Sequence, residues 1–319
     1  MSLSFKDVSI VIQGPILDKK SFNDDVIKRY RSISKDLEII VSTWCGTNYE
    51  SNEIDKYIES SDPGAHVTVD KIGLTLSTSR LIVSSLNGLK AAERKWVLKV
   101  RSDMYFTSLN WLSKLDSEAI ESTEPYGIFR QKVIISTLFT PNPLRQNVLF
   151  HPSDWLFFGL RSDLLDYFSC SLPEEPLESR FFADRINPRP ENYTGHRQAL
   201  SRYTCEQYPL VMLMKMRGIP VPTHGFEFSP YWLEIHNQIF LSNFVLLSDK
   251  TLKYNSLKHG CARKGFDVSS MYTELEAKNI GHKRCLKTRL FDLEKYTRML
   301  HSIMRLSWSS FCNALMSFW

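Results

Sequence analysis

The run from Lys95 to Phe106, K-W-V-L-K-V-R-S-D-M-Y-F, carries the residues best suited to chemistry: an apolar stretch that stops at Arg101, Ser102 and Asp103. A buried strand ending this way delivers a carboxylate to its C-terminal edge. Ligands of open α/β sheets bind at that edge, so Asp103 is placed to meet a metal, a ribose or a phosphate. The competing reading makes it a turn residue paired with Arg101. Gln13, Thr43 and Asp70 fall at the ends of other predicted strands on the same side. Amides near Gly14 and the hydroxyl of Thr43 would line a pocket for a nucleotide, and Asp70 would accept from a base or ribose. Arg80, in the first turn of the next predicted helix, would meet a diphosphate there. Taken singly, Arg80 is also an ordinary surface arginine and Asp70 an ordinary turn residue; their shared placement is the stronger argument.

The elements that must position these residues alternate in type. Val8 to Gln13 is a β-branched run closed by Gly14-Pro15, and Asn23 to Ile33 has helical spacing with two acids in its first turn. Leu37 to Ser42 repeats the strand pattern, His66 to Asp70 follows the Asp62-Pro63-Gly64 turn, Thr78 to Ala92 reads as a helix, and Trp96 to Val100 is the next strand. Such alternation predicts an α/β fold: right-handed βαβ units forming a mainly parallel sheet with helices on both faces. Further on, Tyr126 to Thr137 and Asp154 to Gly159 read as strands, Ser162 to Phe168 and Cys205 to Arg217 as helices, and Leu172 to Asn192 as a long loop. The first turn reads Q-G-P-I. The chain has no G-x-G-x-x-G and no Walker-type glycine-lysine motif, which disfavours a dinucleotide-dependent dehydrogenase or a P-loop NTPase.

A chain of 319 residues, 43% hydrophobic and 24% charged, has the composition of a soluble globular protein. No run approaches the about 18 apolar residues a membrane span requires, and M-S-L-S-F-K-D is no signal peptide, so a cytoplasmic location is expected. Its 6 cysteines include no CxxC pair. From Thr251 onward there are 12 Lys/Arg against 5 Asp/Glu, so the formal net charge of +5 belongs to the tail. An anionic surface is the expected partner of such a tail, which lacks any nucleic-acid-binding module.

The segments V-S-I-V-I-Q-G-P-I, I-V-S-T-W, S-R-L-I-V-S-S-L-N-G-L-K, V-L-K-V-R-S-D-M-Y-F, D-W-L-F-F-G and C-E-Q-Y, in that order, resemble the WavE lipopolysaccharide-synthesis family. The resemblance spans about Val8 to Gly218. It implies a GT-A-like, Rossmann-type glycosyltransferase that moves a sugar from a nucleotide sugar to a glycan or lipid-linked acceptor in lipopolysaccharide core, O-antigen or capsule. On that reading residues 1–110 form the nucleotide-sugar-binding half, 111–250 the acceptor-side half of the same domain, and 251–319 a basic, helical C-terminal segment. Donor contacts would come from Gln13, Gly14, Thr43, Asp70, Arg80, Arg101 and Asp103. GT-A enzymes usually carry Asp-x-Asp where this chain reads R-S-D-M. Asp103 would therefore hold Mn²⁺ or Mg²⁺ with the help of phosphates and waters, or else bind the donor's hydroxyls while Arg101 and Arg80 neutralise the leaving phosphate. Transfer with inversion needs a general base, and by resemblance to GT-A enzymes, where that acid often comes from the acceptor-side half of the fold, it would be Glu206 or Asp154. Both also have structural readings, Glu206 as a helix-start acid and Asp154 as a turn residue. A sugar nucleotidyltransferase and an inactive polysaccharide- or lipid-binding scaffold are the alternatives.

In the last thirty or so residues, Leu293, Tyr296, Leu300, Ile303, Met304, Trp308, Phe311, Leu315 and Phe318 share one helical face opposite Lys295, Arg298 and Arg305. This predicts a peripheral helix on the inner face of the cytoplasmic membrane, against anionic lipid. The competing reading packs that face on the protein's own core.

Overall fold

The computed structural model describes residues 3–69, 74–112, 126–183, 200–257, 268–278 and 280. The chain divides into one compact unit, 1–278, and a second, 279–319. The predicted C-terminal helix lies outside the described residues.

Strand β1 (Val8–Gln13) is buried along its whole length, as a central strand covered on both faces must be. Helical turns α1 (Lys19–Ser21) and α2 (Lys28–Ile33), joined by a π-helical stretch Phe22–Ile27, lead to β2 (Glu38–Trp44) and β3 (Lys56–Ser60). A small antiparallel pair, β4 (His66–Val69) and β5 (Leu74–Leu76), precedes helix α3 (Thr78–Ala91). Then come β6 (Trp96–Arg101), β7 (Met104–Phe106), β8 (Val133–Ser136) and β9 (Leu156–Leu160). Helices α4 (Arg161–Phe168), α5 (Gln207–Met216) and α6 (Pro230–Asn243) follow. The described unit closes with β10 (Phe244–Leu247), α7 (Asp249–Leu252), β11 (Tyr254–Ser256) and α8 (Glu274–Lys278).

The main sheet has 7 strands in the order β10-β8-β9-β6-β1-β2-β3. Strands β6, β1, β2 and β3 are mutually parallel, whereas β9 runs antiparallel to both β6 and β8. The expected α/β architecture is therefore a mixed, mostly parallel sheet. Ile10, Ile12, Leu98 and Val100 face a core completed by Phe22, Val26, Ile27 and Tyr30 on one side and by Phe106 and Tyr254 of the β7–β11 pair. Val11 faces α3 on the other side. There Gly88 lets the helix approach so closely that an added Cβ would overlap Val11 and stand 3.0 Å from the Ser42 Cβ.

Two expectations are corrected, and one element is new. The third strand of the sheet is Lys56–Ser60, not the run from His66, which pairs only with β5. Lys56–Ser60 is an edge strand with half-exposed, largely polar residues, so its apolar signal is weak. Within Tyr126 to Thr137 only Val133–Ser136 is strand. Its beginning is instead a turn held by side chains: Asn243 Oδ1 accepts from the N–H groups of Ile128 and Phe129, and Asp163 Oδ2 from those of Arg130 and Gln131. Helix α6, capped by the Ser229 hydroxyl with proline at its start, was not read from the sequence.

Candidate active site

Strands β1 and β6 are neighbours, yet the chain leaves β1 for β2 on one side and reaches β6 only later on the other. Between them lies a topological switch point. Their registered ends, Gln13 opposite Arg101, open into a cleft of about 670 Å³. The ladder runs on into its floor: the Ser102 N–H donates to Gln13 O (2.8 Å), and the Gly14 N–H to Ser42 O (3.0 Å). Gly14 has a φ of +114°, a region open to glycine, and a Cβ there would stand 3.2 Å from Ser102 Oγ. That hydroxyl donates to Pro15 O (2.6 Å), tying the two strand ends together.

One wall of the cleft is the start of α3, with Ser77, Arg80, Leu81 and Ser84. Ser84 Oγ lies 2.5 Å from Gln13 Oε1. Arg80 makes a two-pronged pair with Asp62, Nε to Oδ1 at 2.7 Å and Nη2 to Oδ2 at 2.5 Å. The opposite wall is built because β9 runs antiparallel: the start of that strand, not its end, lies beside the end of β6. Asp154 thereby enters the cleft, and the turn before α5 brings in Cys205 and Glu206.

At the centre Arg101 donates from Nε and Nη2 to the two oxygens of Asp103, both at 2.9 Å. Its guanidinium also stands over the Trp155 ring at 5.6 Å, with Nη1 4.0 Å from Asp154 Oδ2. Burial works against the charge of Arg101, but Asp154 and Asp103 outweigh it and raise its pKa. Burial pushes the Asp154 carboxyl up; Arg101 pulls it back, and Glu206 adds to the rise. Beneath it Lys99, fully buried on β6, donates to the Asp154 carbonyl (2.8 Å) and sits 5.5 Å from the ring centres of Phe157 and Phe168. Burial lowers Lys99 to about 8 despite the attraction of Asp154.

Sequence profiles of known families identify the chain at this point: the profile of WavE lipopolysaccharide synthesis matches residues 8–307. The chain belongs to the WavE lipopolysaccharide synthesis family. No curated protein matches the sequence.

Of the sites expected in this WavE-family chain, Gln13, Gly14, Arg80, Arg101, Asp103, Asp154 and Glu206 line the one cleft. Thr43 does not. It is fully buried, its hydroxyl 3.3 Å from that of Thr47, and Trp44 lines the cleft in its place. Alternation along β2 puts successive side chains on opposite faces, so a one-residue difference in where the strand ends exchanges the two. Asp70 lies outside the described residues.

Sequence reasoning missed Lys99, Asp62 and the placing of His151 beside Glu206. Lys99 lies in an apolar run where only its burial marks it out. His151 is 6% exposed, and its Nε2 stands 3.3 Å from Glu206 Oε2. Among the described residues no three His, Cys, Asp or Glu side chains converge as metal ligands. With both oxygens of Asp103 accepting from Arg101, the donor set does not fit a resident divalent ion, since an ion there would face a guanidinium.

Proposed function

We propose that this protein is a glycosyltransferase of GT-A type, transferring a sugar from a nucleotide sugar to a growing bacterial surface polysaccharide. The observation that carries the reading is one cleft, at the switch point of a mostly parallel sheet, lined by Arg80 and Arg101 together with Asp62, Asp103, Asp154 and Glu206, in a family of lipopolysaccharide synthesis. Gly14, which leaves the strand end open for want of a side chain, suits the nucleoside together with Gln13 and Trp44. Arg101 and Arg80 suit the diphosphate, each exchanging part of its carboxylate pairing for phosphate oxygens. Asp103 then orients Arg101 and accepts from donor hydroxyls. No step is assigned to a metal.

Asp154 is the base. The acceptor hydroxyl oxygen bonds to the anomeric carbon, whose bond to the phosphate oxygen breaks. The nucleoside diphosphate leaves with that electron pair, and Asp154 takes the hydroxyl proton. A carboxyl raised by burial works nearer neutral pH than an ordinary aspartate, as a base should. The test is a panel of nucleotide sugars with purified protein, read as release of nucleoside diphosphate. The reading fails if no donor is turned over in the presence or absence of glycan acceptors. In the same assay chelation is expected to change turnover less than about threefold, the margin of lost incidental ions rather than of a required Lewis acid. Activity lost in chelator and restored by Mn²⁺ would return Asp103 to the role of metal ligand.

A further inference from the structure

The segment from Leu149 to Asp154 is held more tightly than a loop requires. Gln207 Nε2 donates to Leu149 O (2.7 Å), the Phe150 N–H donates to His236 Nδ1 (3.0 Å), and the Ser153 N–H donates to Thr140 Oγ1 (3.1 Å). Within it Phe150 takes a φ of +55°, a left-handed conformation that a bulky residue adopts only when its surroundings impose it. His236, completely buried and lowered by that burial to about 3, is neutral and serves as a fixed acceptor. Clamping Phe150 this way aims the next residue, His151, at Glu206, with Nε2 3.3 Å from Oε2. His151 Nδ1 is buried and has no hydrogen-bond partner among the described residues. A buried imidazole with one nitrogen on a carboxylate and none on the other gains little as a structural bridge. Its ion-pair partner is an acid of the cleft.

We infer that His151 is a positioning residue for the transfer reaction: its imidazolium fixes Glu206 as a standing carboxylate and so leaves Asp154 as the acid that takes the acceptor's proton. The inference rests on the glycosyltransferase reading and deepens it. Two carboxylates close together in a buried site resist joint ionisation, and the more weakly compensated one keeps the proton. Around this pair stand Lys99 and Arg101 from β6 and Asp103 just beyond it, while Tyr167 from α4 and Cys205 from the turn before α5 also sense both acids. With His151 protonated, the cations Lys99, Arg101 and His151 match the anions Asp103, Asp154 and Glu206. Without that proton the cluster holds one uncompensated negative charge, and Asp154 and Glu206 compete for a proton. Burial alone would lower His151, but Glu206 reverses this and raises it, so the imidazolium is favoured over that of an ordinary histidine.

Two measurements on the full chain decide the matter. The first needs no substrate: the His151 imidazole is followed by NMR through a pH titration, assigned by its loss in His151→Gln. In Glu206→Gln its midpoint is expected to fall by about one pH unit or more, the differential interaction of a close ion pair. An unchanged midpoint overturns the inference whatever the donor panel gives. The second uses the donor that the panel identifies. His151→Gln is expected to lower kcat by about tenfold or more while donor KM stays within about twofold, because His151 touches an acid and not the donor. The alkaline fall of the wild-type profile, as His151 loses its proton, should also shift or vanish in the variant. Wild-type kcat, or an unshifted alkaline limb set by Lys99 instead, overturns it. Failure of every donor in the panel would sink the glycosyltransferase reading, and the titration would still judge the His151–Glu206 pair.

Discussion

Asp154 and Asp103 are two carboxylates of one cleft with opposite surroundings. Asp103 is gripped at both oxygens by Arg101, whereas Asp154, also only partly exposed, stands 4.0 Å from the same guanidinium without a two-pronged pair and feels Glu206, which adds to its raised pKa. Asp103 should therefore serve binding, and Asp154 the chemical step. Asp154→Asn is expected to lower kcat by about 10²-fold or more with nucleotide affinity nearly unchanged. Asp103→Asn releases Arg101 and should weaken nucleotide binding as well. Calorimetric titration of nucleotide into both variants checks the division, and equal losses of affinity would refute it.

Lys99 offers a second test at this scale. Its ordinary value of 10.5 falls to about 8 in the fold, a penalty on the charged form of order 3 kcal/mol. The sign follows from the direction. A lysine whose folded pKa is depressed destabilises the protein fully below pH 8, and the penalty fades as pH rises toward 10.5. Lys99→Met, apolar and of similar length, should therefore leave the melting temperature at pH 7 no lower than wild type, while transfer falls at least about tenfold because Asp154 loses its buried cation. The stability difference should narrow between pH 8 and 10.5. A melting temperature several degrees lower at pH 7 would mean that Lys99 stabilises the fold.

At the scale of elements, helix α3 determines where Arg80 and Ser84 stand, and Gly88 determines how close that helix lies to the sheet. Alanine is the better helix former by about 1 kcal/mol, so an exposed glycine would gain from replacement. Here the added methyl meets Val11 and Ser42 on two central strands. Gly88→Ala is expected to destabilise the protein by about 1–3 kcal/mol and to weaken donor binding as the helix start moves outward. Thermal melts read the first effect, nucleotide titration the second, and a stabilised variant would refute the close packing. Antiparallel β9 is the other element on which the site depends: a parallel strand in its place would send Asp154 to the far edge of the sheet.

On the scale of the whole molecule, positive charge gathers beyond Thr251, and the family match runs to residue 307, past the end of the described unit. No described helix is long and apolar enough to cross a membrane. The amphipathic pattern from Leu293 to Phe318 supports a tail that meets an anionic surface, with each basic residue near such a leaflet contributing about 1 kcal/mol. In liposome flotation the full chain should bind anionic vesicles much more than neutral ones, and a truncation after Thr288 should lose most of that binding. Equal binding by both proteins would place the acidic-surface preference elsewhere in the chain.

Much of the cleft's lining was legible in the sequence because it is written locally. The run that stops at R-S-D-M, the turn Q-G-P-I and the helix start bearing Arg80 each lie within a few residues of a strand end, where period and composition suffice. The weak edge strand Lys56–Ser60 was not, since its residues are half polar and its place comes from pairing with β2. Nor were the partners that define the charge of the cleft. Asp62 lies 18 residues from Arg80, and Asp154 lies 55 from Lys99. Whether an acid is a base, a clamp or a surface charge depends on distance and burial, and both are set only when the reversed strand β9 and the clamp on Phe150 carry Asp154 and His151 to the end of β6. Local sequence determined the strand ends, the family and the Arg101–Asp103 pair; the tertiary structure alone decided which distant charges meet, because their electrostatic roles are fixed by separation in space and exclusion of water rather than by separation along the chain.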